Sequence, residues 1–298
     1  MSNFFHFLKL IRSSNLFLIA LTQILAQIFI LKEDLGTNFL LLIIITLCIA
    51  LSGYIINDVF DVESDQVNKK NIIIGNYISV RNAMFFYYLF TSVSIFIAIY
   101  LFYLNNNFYL FVIFISSIFF LWWYSKRYKH RFIIGNFIVA FLTAICIFNV
   151  YLVSINPSGN SLNLILVFSA FSFFSNFARE IIKDLEDLKG DKLMNSKNIA
   201  STLNIVQTKQ IVFIFLVILS MMTVSLFVFF LVATFWNCSY LLISFMIWFG
   251  FIFALLYLSI LGIIKSEKKE DYNYLSNMLK LVMLLGVLSI PLIYYVIN

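Results

Sequence analysis

Charge is what this chain most lacks. Of its 298 residues, 11% are Asp, Glu, Lys or Arg, while 62% are hydrophobic and the mean hydropathy is +0.98. A soluble domain of this length cannot clothe its surface so sparsely, so the chain reads as a polytopic membrane protein. Cysteine is also sparse. Cys48, Cys146 and Cys238 stand far apart without C-x-x-C spacing, which excludes a disulfide framework and a thiolate metal site and leaves three small apolar packers. His6 and His130 have no second His or Cys at ligand spacing, so both read as surface residues and zinc is excluded. Two prolines are too few for the broken helices of a typical transporter.

What the chain has instead is long apolar runs. Inside them periodicity carries no information, because a membrane helix is apolar all round, so run length decides. Nine runs qualify, at roughly 13–31, 38–57, 82–103, 108–125, 132–154, 162–183, 209–232, 239–263 and 278–296. The expectation is an all-α protein: nine transmembrane helices in one bundle, forming a single domain over 1–298. No cleavable signal pattern precedes the first run, which is long enough to span.

Charge sets the orientation. Nineteen of the 20 Lys and Arg lie in the N-terminal segment or after even-numbered helices; only Lys32 does not. The positive-inside rule then puts the N-terminus in the cytoplasm and the C-terminus outside. Twelve of the 14 acids share the cytoplasmic side, with Glu33 and Asp34 the exceptions. The net charge of +6 is therefore a topology signal that also suits an anionic leaflet or substrate, not a nucleic-acid footprint. The outer connections around Asn105–Asn107, Asn156–Asn160 and Trp236–Cys238 are short turns, whereas the cytoplasmic connections 58–81 and 184–208 are long enough to suggest function.

Each long connection begins with the same acidic pattern. The first reads Asn57-Asp58-Val59-Phe60-Asp61-Val62-Glu63-Ser64-Asp65; the second runs from Arg179-Glu180 through Lys183-Asp184 and Asp187 to Asp191. In both, three aspartates fall at i, i+3 and i+7. On a helix with Asn57 at zero, Asp61, Asp65 and Asp58 lie at roughly 40°, 80° and 100°. With Glu180 at zero, Asp184, Asp187 and Asp191 lie at roughly 40°, 340° and 20°, while Glu63 and Glu186 point elsewhere.

One such stripe alone would read as a solvated helix end. Two stripes at identical spacing, both at cytoplasmic helix ends, read as a site. Carboxylates so crowded repel, and one Asp at a bilayer centre costs roughly 2.5–3.5 kcal/mol, so cations must neutralise them. An all-oxygen set selects Mg²⁺, which bridges carboxylates to phosphate oxygens. Lys129, Arg179 and Lys183 are placed to meet diphosphate oxygens that metal leaves free. A diphosphate departing from an allylic carbon needs this charge, and the carbon left behind needs a dry aromatic pocket, for which 36 Phe, 16 Tyr and 4 Trp suffice.

Asn57-Asp58-x-x-Asp61-x-x-x-Asp65 resembles the first signature of the UbiA-type intramembrane prenyltransferases, and Asp187-x-x-x-Asp191 resembles their second. The likeness spans the chain, including Arg12 to Asn15 before helix 1 and Tyr124 to Asn136 between helices 4 and 5. The surroundings of both motifs are most similar to the branch that alkylates geranylgeranylglycerol phosphate. The resemblance implies that Asn57, Asp61 and Asp65 with Asp187 and Asp191 hold two Mg²⁺ on a prenyl diphosphate, that Asp58 and Asp184 support them, and that Lys129 contacts diphosphate. It implies a lipid-soluble acceptor, no obligate protein partner and a bacterial or archaeal cell membrane.

Two departures stand out. Tyr124 and Lys129 are one residue further apart than the Y-x-x-x-K of aromatic-acid prenyltransferases, which argues against a 4-hydroxybenzoate acceptor. The stretch Asn68 to Gly75 lacks the usual Pro and is shortened. The alternatives are an aromatic prenyltransferase of quinone or haem biosynthesis and, more distantly, a transporter, which would need acids near the midplane. The D-G-x-x-A-R pattern of CDP-alcohol phosphotransferases is absent, and all motif acids needed for activity are present.

Overall fold

Lipid offers no partner to backbone N–H and C=O groups, so the apolar runs must satisfy themselves as helices. The computed structural model describes residues 3–67, 72–155, 157, 159–193, 195–234 and 240–297. Its helices are α1 (Asn3–Leu10), α2 (Ser13–Leu25, extended by a π-helical turn Ala26–Leu31), α3 (Thr37–Phe60), α4 (Val62–Val67), α5 (Val80–Asn105) and α6 (Phe108–Lys126). They continue as α7 (Ile134–Val153), α8 (Gly159–Leu193), α9 (Ile199–Thr202), α10 (Ile205–Thr234), α11 (Tyr240–Lys265) and α12 (Lys269–Ile297). Among the described residues nine helices are long and apolar enough to cross a membrane, each where an apolar run predicts one. Asn68 to Asn71, with Lys69 and Lys70, lie outside the described residues, as do Asn156, Ser158, Trp236, Asn237 and Cys238.

Two helices extend nine or ten residues past one end of their apolar runs, and the reason is common to both. Run length detects lipid-facing segments and not polar continuations. The 35 residues of α8 span about 52 Å, well beyond a hydrocarbon layer of about 30 Å, so its last turns carry the second motif clear of lipid. Helix α12 begins nine residues before its apolar run. Asp271 fastens that start, its Oδ2 accepting the N–H groups of Glu267 and Lys268 at 2.9 Å each.

Helix α3 organises the first half by packing against α5, α6 and α7; α8 organises the second against α7, α10 and α12. One apolar core, including Phe39, Phe114, Phe245 and Phe249, fills the uncharged end. A second, around Ile181, Leu185, Leu216 and Leu279, supports the charged end. Outward rings such as Phe96 and Tyr103 are exposed, as lipid-facing side chains are. Cys48 is buried and Cys146 half-buried, in agreement with packing roles.

Helix α1 is not expected from run length. It joins a small cluster of Leu10, Ile55, Ile73, Ile74 and Ala83 beneath the turn 72–79. His6 is accordingly half-buried and not simply a surface residue: its ring stacks on Tyr77 at 3.6 Å.

Candidate active site

The first motif differs from a plain helical face. Helix α3 ends at Phe60, Asp61 (φ −89°, ψ −3°) caps it, and α4 restarts at Val62. The 1–5 bonding continues across the join: Asp61 N–H donates to the Asn57 carbonyl at 3.0 Å and Asp65 N–H to the Asp61 carbonyl at 2.8 Å. Asn57, Asp61 and Asp65 therefore stay stacked, and Asn57 Nδ2 donates to Asp61 Oδ2 at 2.6 Å. Lys129 Nζ donates to that same oxygen of the buried Asp61. Asp58 is turned off the stripe. About 100° from Asn57, it faces α2, where Arg12 Nη2 holds its Oδ1 at 2.9 Å. It serves as the counter-ion of Arg12 while remaining within electrostatic reach of Asp61.

Lys129 reaches Asp61 from a single 3₁₀ turn, Tyr128–His130, between α6 and α7. That turn is pressed against the start of α7. A Cβ on Gly135 would lie 2.8 Å from the Tyr128 carbonyl oxygen and 3.1 Å from Lys129 Cα, so only glycine permits the approach. Between them Ile133 adopts φ 62°, an expensive value for a β-branched residue and the kind of strain that collects at functional sites.

The second motif lies on the projecting end of α8. Asn136 Nδ2 donates to Asp184 Oδ2 at 2.8 Å. Asn198 Nδ2 donates to Asp191 Oδ2 at 2.6 Å while its own Oδ1 caps α9 through Ser201 N–H at 2.8 Å. Asp187 is half-buried on the same helix. Helix α4 packs on α8, and Lys129 interacts electrostatically with Asp184, as do Glu180 and Asp191. The Lys129 ammonium thus bonds the first motif and lies within electrostatic range of Asp184 in the second. Tyr124 is within electrostatic reach of Asp61, Asp184 and Glu180.

Beneath this mouth lies a cavity of about 1000 Å³ between α2, α3, α6, α7 and α8. Asn57, Arg179, Glu180 and Lys183 line its charged end; Ile49, Phe114, Leu142 and Ile145 line its depth. From Asn57 to Thr46 it descends eleven residues of α3, roughly 16 Å. Lys183 Nζ donates to Glu180 Oε1 at 2.6 Å, and Arg179 Nη1 lies 3.6 Å from that oxygen. Glu180 thus holds both basic groups at the rim.

A divalent cation fits this mouth. Its donors are oxygens throughout, and Asn57 Oδ1 is buried without a hydrogen-bond partner among the described residues. No three carboxylates converge among those residues, so an ion here would complete its shell with phosphate and water, as Mg²⁺ does. Sequence reasoning names the acids and Lys129, but gives no role to Asn136, Asn198, Tyr54 or Tyr124. A polar residue opening the apolar α7 marks Asn136; Asn198 lies in a loop and carries no such mark.

A model of the UbiA prenyltransferase family matches residues 18–295. The chain belongs to that family. It is 34% identical over 242 residues to the digeranylgeranylglyceryl phosphate synthase of Saccharolobus solfataricus, covering 81% of this chain and 79% of that one. Over 297 residues it is 27% identical to the Methanocaldococcus jannaschii protein of the same name, covering 95% and 94%. A solved structure of a digeranylgeranylglyceryl phosphate synthase superposes with TM-score 0.68 at 22% identity, covering 100% of this chain and 99% of that one. A UbiA homolog from Archaeoglobus fulgidus bound to DMAPP and Mg²⁺ superposes with TM-score 0.66 at 15% identity, covering 98% of each. The protein is thus an integral-membrane prenyltransferase.

For this prenyltransferase, Gly135→Ala is expected to push the Lys129 turn off Asp61. A shift of about 1 Å in a positioned group costs on the order of a hundredfold in rate. Turnover should fall by about that factor while the circular dichroism stays that of the wild type; unchanged turnover would show that Lys129 is placed by something else.

Proposed function

We propose that the protein transfers a geranylgeranyl group from its diphosphate to the free hydroxyl of geranylgeranylglycerol phosphate, at the cytoplasmic end of the bundle. The observation that carries this reading is the packing of the two motif-bearing helices α4 and α8, with Lys129 bonded to Asp61, above a deep apolar cavity. The relatives that share the name digeranylgeranylglyceryl phosphate synthase support the acceptor, and the Archaeoglobus homolog's DMAPP and Mg²⁺ support the donor and the metal. The nineteen basic residues of the N-terminal segment and the charged connections support the side.

In this scheme the C1–oxygen bond to diphosphate breaks and an ether bond to the acceptor oxygen forms. Diphosphate departs and takes up the hydroxyl proton. Two Mg²⁺, held by Asn57, Asp61, Asp65, Asp187 and Asp191, would supply charge that stabilises the leaving diphosphate. Asp184, fixed by Asn136, backs that set. Lys129, Lys183 and Arg179 bind diphosphate oxygens and hold them at the mouth. The buried depth keeps water from the allylic carbon, and the Tyr54, Phe114 and Tyr124 rings that line the cavity favour its positive charge. Asp58 keeps Arg12 in place.

The test offers radiolabelled geranylgeranyl diphosphate and Mg²⁺ to purified protein with geranylgeranylglycerol phosphate, 1,4-dihydroxy-2-naphthoate or 4-hydroxybenzoate in separate tubes. Product is expected with the glycerol phosphate. Product only with an aromatic acid would overturn the acceptor assignment.

A further inference from the structure

A second chamber of about 760 Å³ lies beside the main cavity, between α2, α7, α8 and α12. The two share a wall that includes Asn15, Tyr54 and Arg179. From Lys280 to Val287 on α12, and from Asn15 to Gln23 on α2, the chamber descends roughly 10–12 Å, lined by Leu18, Phe168 and Met283 among others. Over its mouth lies an open groove lined by Lys9, Arg12, Ser13, Ser14, Arg179 and Lys280. Four cations and no carboxylate line this groove.

Two of those cations are already answered: Arg12 by Asp58 at 2.9 Å and Arg179 by Glu180 at 3.6 Å. Lys280 has no carboxylate within ion-pair distance among the described residues, and its Nζ donates to Ser14 Oγ at 2.6 Å. Ser13 and Ser14 open α2, whose first turn carries no side-chain cap. The positive end of that helix adds to the attraction for an anion.

We propose that Lys280, with Lys9 and the Ser13–Ser14 turn, binds the phosphate of the acceptor lipid, while the second chamber receives the acceptor's isoprenoid tail. A phosphomonoester brings a charge of about −1.5 to −2 at neutral pH. Placed with the donor's diphosphate it would be repelled, so two anionic lipids need two cationic centres. The groove supplies the second one in Lys9 and Lys280, neither of which lines the main cavity. The acceptor's glycerol would then lie against Asn15, Tyr54 and Arg179, which border both chambers. An aromatic acid with no tail would have no use for this arrangement, so the inference rests on the proposed glycerol phosphate acceptor.

The experiment measures equilibrium binding to purified protein in nanodiscs, without donor or Mg²⁺. The probes are geranylgeranylglycerol phosphate and the neutral geranylgeranylglycerol. Wild type should bind the phosphorylated lipid about tenfold or more tightly than the neutral one. Lys280→Gln should erase most of that preference and leave the neutral lipid unaffected, and Lys280→Arg should restore much of it. Mg²⁺-dependent binding of geranylgeranyl diphosphate at wild-type strength shows that the variant is folded. The subsite is overturned by a wild type without phosphate preference, by a preference that survives Lys280→Gln, or by equal weakening of both lipids or of the donor. Turnover judges the proposed function separately. Phosphate preference without product overturns the acceptor reading and keeps the subsite; product without preference does the reverse.

Discussion

Asp61→Asn is expected to lower turnover by at least about a thousandfold. Losing one preorganised electrostatic group typically costs about 10²–10³ in rate, and Asp61 supports several interactions at once. Asn57 and Lys129 both donate to its carboxylate. Asparagine keeps the shape and removes the charge that anchors a cation and Lys129 together. Asp191→Asn should act similarly from the other motif, because Asn198 fixes the Asp191 carboxylate in place. Both variants should insert and elute as the wild type does. Full activity in both purified variants would refute the metal-site assignment.

Metal removal is expected to be as severe. After chelation with EDTA, turnover of geranylgeranyl diphosphate should fall to background, and added Mg²⁺ should restore it. Without divalent charge the motif acids repel a diphosphate, and Lys129, with Lys183 and Arg179 already engaged by Glu180, cannot offset Asp61, Asp65, Asp187 and Asp191. Binding of the donor should be lost along with turnover. Activity that survives chelation would mean that Lys and Arg carry the leaving group unaided.

These expectations rest mostly on features legible in the sequence. The nine membrane-length helices among the described residues follow from run length, and the facing aspartates from 100° per residue, because both are local consequences of helical geometry. Asp58 shows where such reasoning stops. The spacing places it within a quadrant of Asn57, but only the packing of α2 on α3 reveals that Arg12 claims it. The break at Asp61 is likewise invisible, since the 1–5 bonding continues through it. The start of α12 and the end of α8 are polar helix, to which a hydropathy criterion is blind. Asn136 is marked by its place at the start of an apolar helix, but its partner Asp184 lies 48 residues away, and Asn198 is found only through its contact with Asp191. Tyr54, Phe114 and Tyr124 could not be told from the many lipid-facing aromatics until the cavity was seen.

The most direct measurement is the stoichiometry of a single turnover with geranylgeranyl diphosphate, geranylgeranylglycerol phosphate and Mg²⁺. It quantifies released diphosphate and, by mass spectrometry, the ether lipid. The account predicts one digeranylgeranylglycerol phosphate per diphosphate released in the wild type, and neither in Asp61→Asn. Diphosphate released without the ether lipid, or an ether lipid formed equally well by Asp61→Asn, would contradict it.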